Sequence, residues 1–224
     1  MKNVYKFLLT TMIAFCFTLY GVAQAPMANA GNDKAICNDQ TSYTISEATA
    51  SNYTTITWTT SGNGTWGSPS TSGNVNSTYY PAPSDKTSGF VNLTITAVKT
   101  GWVTPTTDQM KLSFQTEPTA DAGSNATICE TGTYTVNDAT AGNYSSVSWT
   151  TGGDGTFTGG TTLTPTYTPG TNDKTGASVT LTLHAAATSP CVTEATDNMI
   201  LYLQNPPTAD AGSNATICET GTYT

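Results

Sequence analysis

Between residues 91 and 97 the chain alternates strictly. Val91, Leu93, Ile95 and Ala97 are apolar, and Asn92, Thr94 and Thr96 between them are polar. A period of two turns one set toward a core and the other toward water, so this stretch predicts a half-buried strand. Val179, Leu181, Leu183 and Ala185 repeat the pattern against Thr180, Thr182 and His184. Met110, Leu112 and Phe114, and again Met199, Leu201 and Leu203, predict a further strand after each. Ile56 with Trp58, and Val147 with Trp149, predict a central strand. Threonine fills the outward positions, where β-branching suits the pleat. Asn63-Gly64 and Asp154-Gly155 read as hairpin turns, because both residue types accept positive φ. Helical periodicity is almost absent.

The elements recur because the sequence recurs. "ADAGSNATICETGTYT" stands at residues 120–135 and again, unchanged, at 209–224, inside a longer identity of 118–135 with 207–224. An older copy lies upstream: "ANAGNDKAIC" (28–37) aligns with "ADAGSNATIC" (120–129), and "NYTTITWTTSGNGTW" (52–66) with "NYSSVSWTTGGDGTF" (143–157). A period near 90 exceeds the ~20–50 residues of solenoid units and is the size of a small domain. About seven short strands per repeat predict an all-β chain of tandem immunoglobulin-like β-sandwich domains. The expected organisation is a signal peptide at 1–23, repeat 1 at 26–116, repeat 2 at 117–205, and the truncated start of a third repeat at 206–224. The last segment, which stops inside a strand, reads as part of a longer protein. Prolines in Thr116-Glu117-Pro118 and Asn205-Pro206-Pro207 predict semi-stiff linkers.

The N-terminus reads as a secretory signal: Lys2 and Lys6, an apolar run from residue 7 to 20, and a small-residue exit at Gly21-Val22-Ala23. The run is shorter than the ~20 residues a membrane span needs, and no other segment of the mature chain could cross. Phe15 before Cys16 does not fit a lipidation site. Without the signal, five lysines face fifteen acidic residues, and arginine is absent throughout. That balance excludes nucleic acid and anionic membrane surfaces as partners. The glycine-rich turns are not phosphate loops, since strands flank them and no helix N-terminus comes after.

The string "ADAGSNATIC…YSSVSWTT…GDGTF…PTYTP…SVTLTLHA…PC…DNM" resembles the immunoglobulin/PKD-like repeats of secreted, surface-displayed Bacteroidota proteins. The resemblance covers nearly the whole mature chain. It implies a secreted or cell-surface protein of many repeats, of the type that ends in a type IX secretion sorting domain or a gliding-motility-associated domain.

Candidate chemistry is sparse. Cys129 and Cys191 are the only cysteine pair within one repeat, and an exported protein would be expected to bridge them. Cys37 is then a buried free thiol or a remnant, with Trp102 filling the space of the missing bridge, and Cys218 pairs beyond the end. Cysteines this far apart, with His184 as the single histidine, do not make a zinc site. His184 faces outward and lacks the partners of a catalytic triad, so no catalytic residue is assigned and an enzyme is not expected. Asp85 and Asp173 sit in matching "DKT" turns, and Asp33 near the start of repeat 1. They read as turn caps. Acidic loops at sandwich ends can bind calcium, but these lack a dense run of acidic residues, so no cofactor is expected. Tyr80, Phe90 and Trp102 have no aromatic counterparts in repeat 2 and are the candidates for stacking on sugar rings. Two readings stand: a non-catalytic spacer or adhesin segment, whose partner is an extracellular protein or glycan, or a carbohydrate-binding appendage of a secreted polysaccharide-degrading enzyme.

Overall fold

The structure is a computed structural model that describes residues 24–67 and 75–222. The expected signal peptide at 1–23, with Cys16, lies outside the described residues. Repeat 1 contains β1 (Met27–Asn29), β2 (Lys34–Cys37), β3 (Tyr43–Thr44), β4 (Thr49–Ser51), β5 (Thr55–Thr60), β6 (Thr65–Trp66), β7 (Thr78–Tyr80), α1 (Pro83–Ser88), β8 (Phe90–Val98) and β9 (Thr106–Gln115). Repeat 2 contains β10 (Thr119–Asp121), β11 (Ala126–Cys129), β12 (Tyr134–Thr135), β13 (Thr140–Gly142), β14 (Tyr144–Thr151), β15 (Thr156–Thr158), β16 (Thr166–Thr168), α2 (Thr171–Gly176), β17 (Ser178–Ala187) and β18 (Ala195–Gln204). Each repeat is an immunoglobulin-like sandwich. A four-stranded sheet, β2-β9-β8-β5, faces a three-stranded one, β3-β7-β6, and β1 pairs with β4 beside them. Repeat 2 has the same order, β11-β18-β17-β14 and β12-β16-β15, with β10 on β13. The early strand runs parallel to the last: Cys37 stands opposite Gln115, and Cys129 opposite Gln204. The other pairings are antiparallel.

The alternation read from the sequence fixes the core. Val91, Leu93, Ile95 and Ala97 point inward from β8, and Met110, Leu112 and Phe114 from β9, all buried. Their counterparts in β17 and β18 do the same in repeat 2. Each fully buried aliphatic side chain contributes roughly 1.5–3 kcal/mol over an exposed one. The two clusters share no residue, so each repeat has its own core.

Three local expectations need correction. The strands bearing Trp58 and Trp149, β5 and β14, are at the sheet edge rather than its centre. Trp149 is nevertheless buried and Trp58 half-buried, because each indole packs on an aromatic ring of the facing sheet. Trp58 lies 5.5 Å from the Trp66 ring, and Trp149 lies 6.0 Å from that of Phe157. Each indole N–H donates to a loop carbonyl, that of Val75 or Thr162, so its polar edge is satisfied. Asn63-Gly64 and Asp154-Gly155 close no hairpin. β5 pairs with β8 and β6 with β7, so the turn crosses between sheets. Glycine is needed there because a Cβ at Gly64 or Gly155 would run into the hydroxyl of Tyr79 or Tyr167. The "DKT" turns are one-turn helices, α1 and α2, whose acids cap the helix start.

Candidate functional site

The only disulfide among the described residues joins Cys37 to Cys191, with Cα atoms 4.7 Å apart. It ties repeat 1 to repeat 2. The expected Cys129–Cys191 bridge does not form, and Cys129 is an exposed free thiol. Strand direction is the reason. Cys129 stands opposite Gln204, at the C-terminal end of β18, whereas Cys191 precedes the N-terminal end of that strand. Ten residues of β18 separate those poles. At ~3.3 Å per residue that is about 30 Å, far beyond the ~7 Å limit for bridged Cα atoms. Cys37 sits at the corresponding pole of repeat 1, opposite Gln115 and just before the linker. The chain then enters repeat 2, whose near pole carries the loop with Cys191. Cys37 is therefore neither a free thiol nor a remnant.

The corner is built from backbone. Asn38 N–H donates to the Gln115 carbonyl at 2.9 Å, continuing the parallel pairing past Cys37. Gln40 N–H donates to the Cys37 carbonyl, closing a turn that holds the sulfur at the edge. Ile36, Cys37, Asp39, Gln40, Pro190 and Val192 line a shallow recess at the junction. Asp39 and Glu117 approach Cys37 closely enough to form a three-ligand group. The sulfur is occupied by the bridge, which leaves two carboxylates and no donor set for a soft metal.

The three sugar-binding candidates are not brought together. Phe90 opens β8 and Trp102 lies past its far end, so the length of the nine-residue strand, about 25 Å, lies between them. The ring of Phe90 is capped by the Lys111 ammonium at 4.4 Å, and that of Trp102 by Lys99 at 5.8 Å. Tyr80, at the end of β7, is exposed. These three residues form no common aromatic platform. Nor does Trp102 fill a space beside Cys37, because it lies at the opposite pole of repeat 1.

Asp85 and Asp173 cap through backbone bonds as expected, and both are buried anchors as well. Tyr79 donates its hydroxyl to Asp85 Oδ2 at 2.6 Å, and Asp85 also accepts from Asn63 N–H and Ala82 N–H. Tyr167 and Asp173 repeat this at 2.6 Å, with Asp154 N–H and Gly170 N–H. Burial, then the hydrogen bond to the carboxylate, pushes both phenols up to about 12. Burial would raise the Asp85 carboxyl, but the hydrogen bonds from Tyr79, Asn63, Ala82 and Gly64 outweigh it and hold the group below its ordinary value. Asp33 accepts from Lys111 N–H, and Asn125 does the same for Ile200 in repeat 2. An amide serves as well as a carboxylate, so that position uses hydrogen bonding rather than charge. His184 lies on the outward face between Thr150 and Glu194, in contact with both.

Neither a protein-family model nor a curated protein sequence matches the chain. Solved structures do. The extracellular domains 3–5 of Drosophila OTK are 13% identical, with a TM-score of 0.48, over 81% of this chain and 63% of that one. An I-band fragment of titin gives 14% and 0.48 over 82% and 67%. The protocadherin GammaB4 extracellular domain gives 14% and 0.44 over 80% of this chain and 34% of its own. The chain thus spans about a third to two thirds of the length of these structures.

Proposed function

We propose that the chain is a non-catalytic extracellular repeat module, a spacer or adhesin segment of a bacterial cell-surface or secreted protein. One observation carries this reading: the Cys37–Cys191 bridge fastens one sandwich to the next instead of stapling either internally. A bond in that place does nothing for a pocket. It fixes how consecutive domains succeed one another, which is what a spacer requires. A disulfide also belongs to oxidising compartments outside the cytoplasm. The signal-like N-terminus and the sequence pattern of Bacteroidota surface repeats support the same location. No helix among the described residues is long and apolar enough to cross a membrane.

The test is small-angle X-ray scattering of the oxidised protein and of its Cys37→Ser/Cys191→Ser double variant. The oxidised protein should give one narrow distribution of distances between the repeats, and the variant a broader one. Identical distributions would overturn the spacer reading, because the bridge would then fix nothing.

A further inference from the structure

The corner that carries Cys37 is built a second time, in repeat 2, around Cys129. β2 and β11 both run parallel to the last strand of their repeat, with Cys37 opposite Gln115 and Cys129 opposite Gln204. Beyond the cysteine, Asn38 N–H meets the Gln115 carbonyl at 2.9 Å, and Glu130 N–H meets that of Gln204 at 3.0 Å. The turn closes alike, by Gln40 N–H on the Cys37 carbonyl and by Gly132 N–H on that of Cys129. In repeat 1 this corner is occupied by the loop of the next repeat, through Cys191. In repeat 2 the same corner presents an exposed thiol. The flanks match too. Two residues, Thr116-Glu117, join Gln115 to Pro118, and two residues, Asn205-Pro206, join Gln204 to Pro207. Residues 207–224 are then identical, position by position, to residues 118–135.

We infer that Cys129 is a docking site for the Pro-Cys loop of a further sandwich of this type, the one begun at residue 207, and that it bonds covalently to that loop's cysteine. The repeats are then linked in series, each corner cysteine reaching forward to the loop of the next domain. The Cys129 corner cannot take the loop of a second copy of this chain, whose Cys191 is already bonded to its own Cys37. Bond formation consumes one disulfide donor, such as oxidised glutathione. The two thiols lose two protons and two electrons as the new S–S bond forms, and the donor leaves as two thiols. The inference extends the spacer reading and rests on the same bridge.

The test appends a copy of residues 136–205 directly after Thr224, which completes a third repeat identical to the second. The chain is refolded in a glutathione redox buffer, alkylated and mapped by mass spectrometry without reduction. Cys129 should be found joined to the appended copy of Cys191, with Cys37–Cys191 retained and Cys218 alkylated. In a Cys129→Ala variant of the extended chain, the appended cysteine should become alkylated. Alkylation of Cys129 in the extended chain, or a bond between Cys218 and the appended cysteine, would overturn the inference. Either result would leave the scattering test of the first junction unaffected, so the two readings fail separately.

Discussion

Tyr79 and Asp85, with their twins Tyr167 and Asp173, show how much a single contact holds. Each aspartate pins three separate pieces of chain, namely the turn after β5 or β14, the helix start and the strand bearing the tyrosine. Tyr79→Phe removes a hydrogen bond to a buried carboxylate and should cost about 1.5–3 kcal/mol in a denaturant titration. The pH dependence has a definite sign. The folded state holds both phenol protons up to about 12, whereas an unfolded chain releases them near 10. The stability they contribute is complete below pH 10 and lost as pH rises from 10 toward 12. Melting temperatures measured across that window should fall, and less steeply in Tyr79→Phe. A second residue-scale difference separates the repeats. After α1 the left-handed position is Gly89, at φ 80°; after α2 it is Ala177, at φ 60°. A Cβ there costs about 1–2 kcal/mol. Ala177→Gly should therefore stabilise repeat 2 by about 1 kcal/mol, read as a rise in its unfolding midpoint, and a fall would show that Ala177 is compensated by packing.

Residues 118–133 and 207–222 put one sequence in two settings. The first copy forms β10 and β11. The second forms no strand and is exposed along its length. Its local turns nevertheless persist. Gly212 N–H bonds Asp210 at 2.8 Å as Gly123 bonds Asp121 at 2.9 Å, and Gly221 N–H bonds the Cys218 carbonyl as Gly132 bonds that of Cys129. Turns are set by neighbours in sequence, whereas strands need partners such as β13 and β18. Hydrogen exchange should find the β11 amides protected and those of 215–218 exchanged within seconds; equal protection would mean that the second copy has found a partner. The same division explains what could be read from sequence. The alternation in β8 and β17 was legible because a buried face enforces it residue by residue. The edge position of β5 was not, nor the sheet-crossing role of Asn63-Gly64, because both depend on which distant strand lies alongside. Tyr80, Phe90 and Trp102 stood out by being unique to repeat 1, and uniqueness carries no information about distance.

For the whole molecule, the cysteines show where reasoning by repeat fails. Counting cysteines within a repeat pairs Cys129 with Cys191, but the parallel pairing of β11 with β18 sets them at opposite poles. The signal that could have found the Cys37–Cys191 bond was topological: in a sandwich whose early strand parallels its last, a cysteine ending the early strand faces the next domain. The bond closes a ring of sequence separation 154. Tension applied to the two ends of the chain would run along the backbone to Cys37, cross the sulfur bridge and leave at Cys191. Both four-stranded sheets lie largely inside that ring, and only β1, β2 and β18 lie on the loaded path. Pulled by an atomic force microscope in oxidising buffer, the protein should give only the short extensions of those strands. After reduction it should release roughly 500 Å more of contour, at ~3.3–3.6 Å per residue. A full-length release before reduction would mean that the bridge does not carry the load. Covalent bonds that skip the folded domains convert a chain of marginally stable sandwiches into a tether whose reach under load is set by redox chemistry rather than by folding.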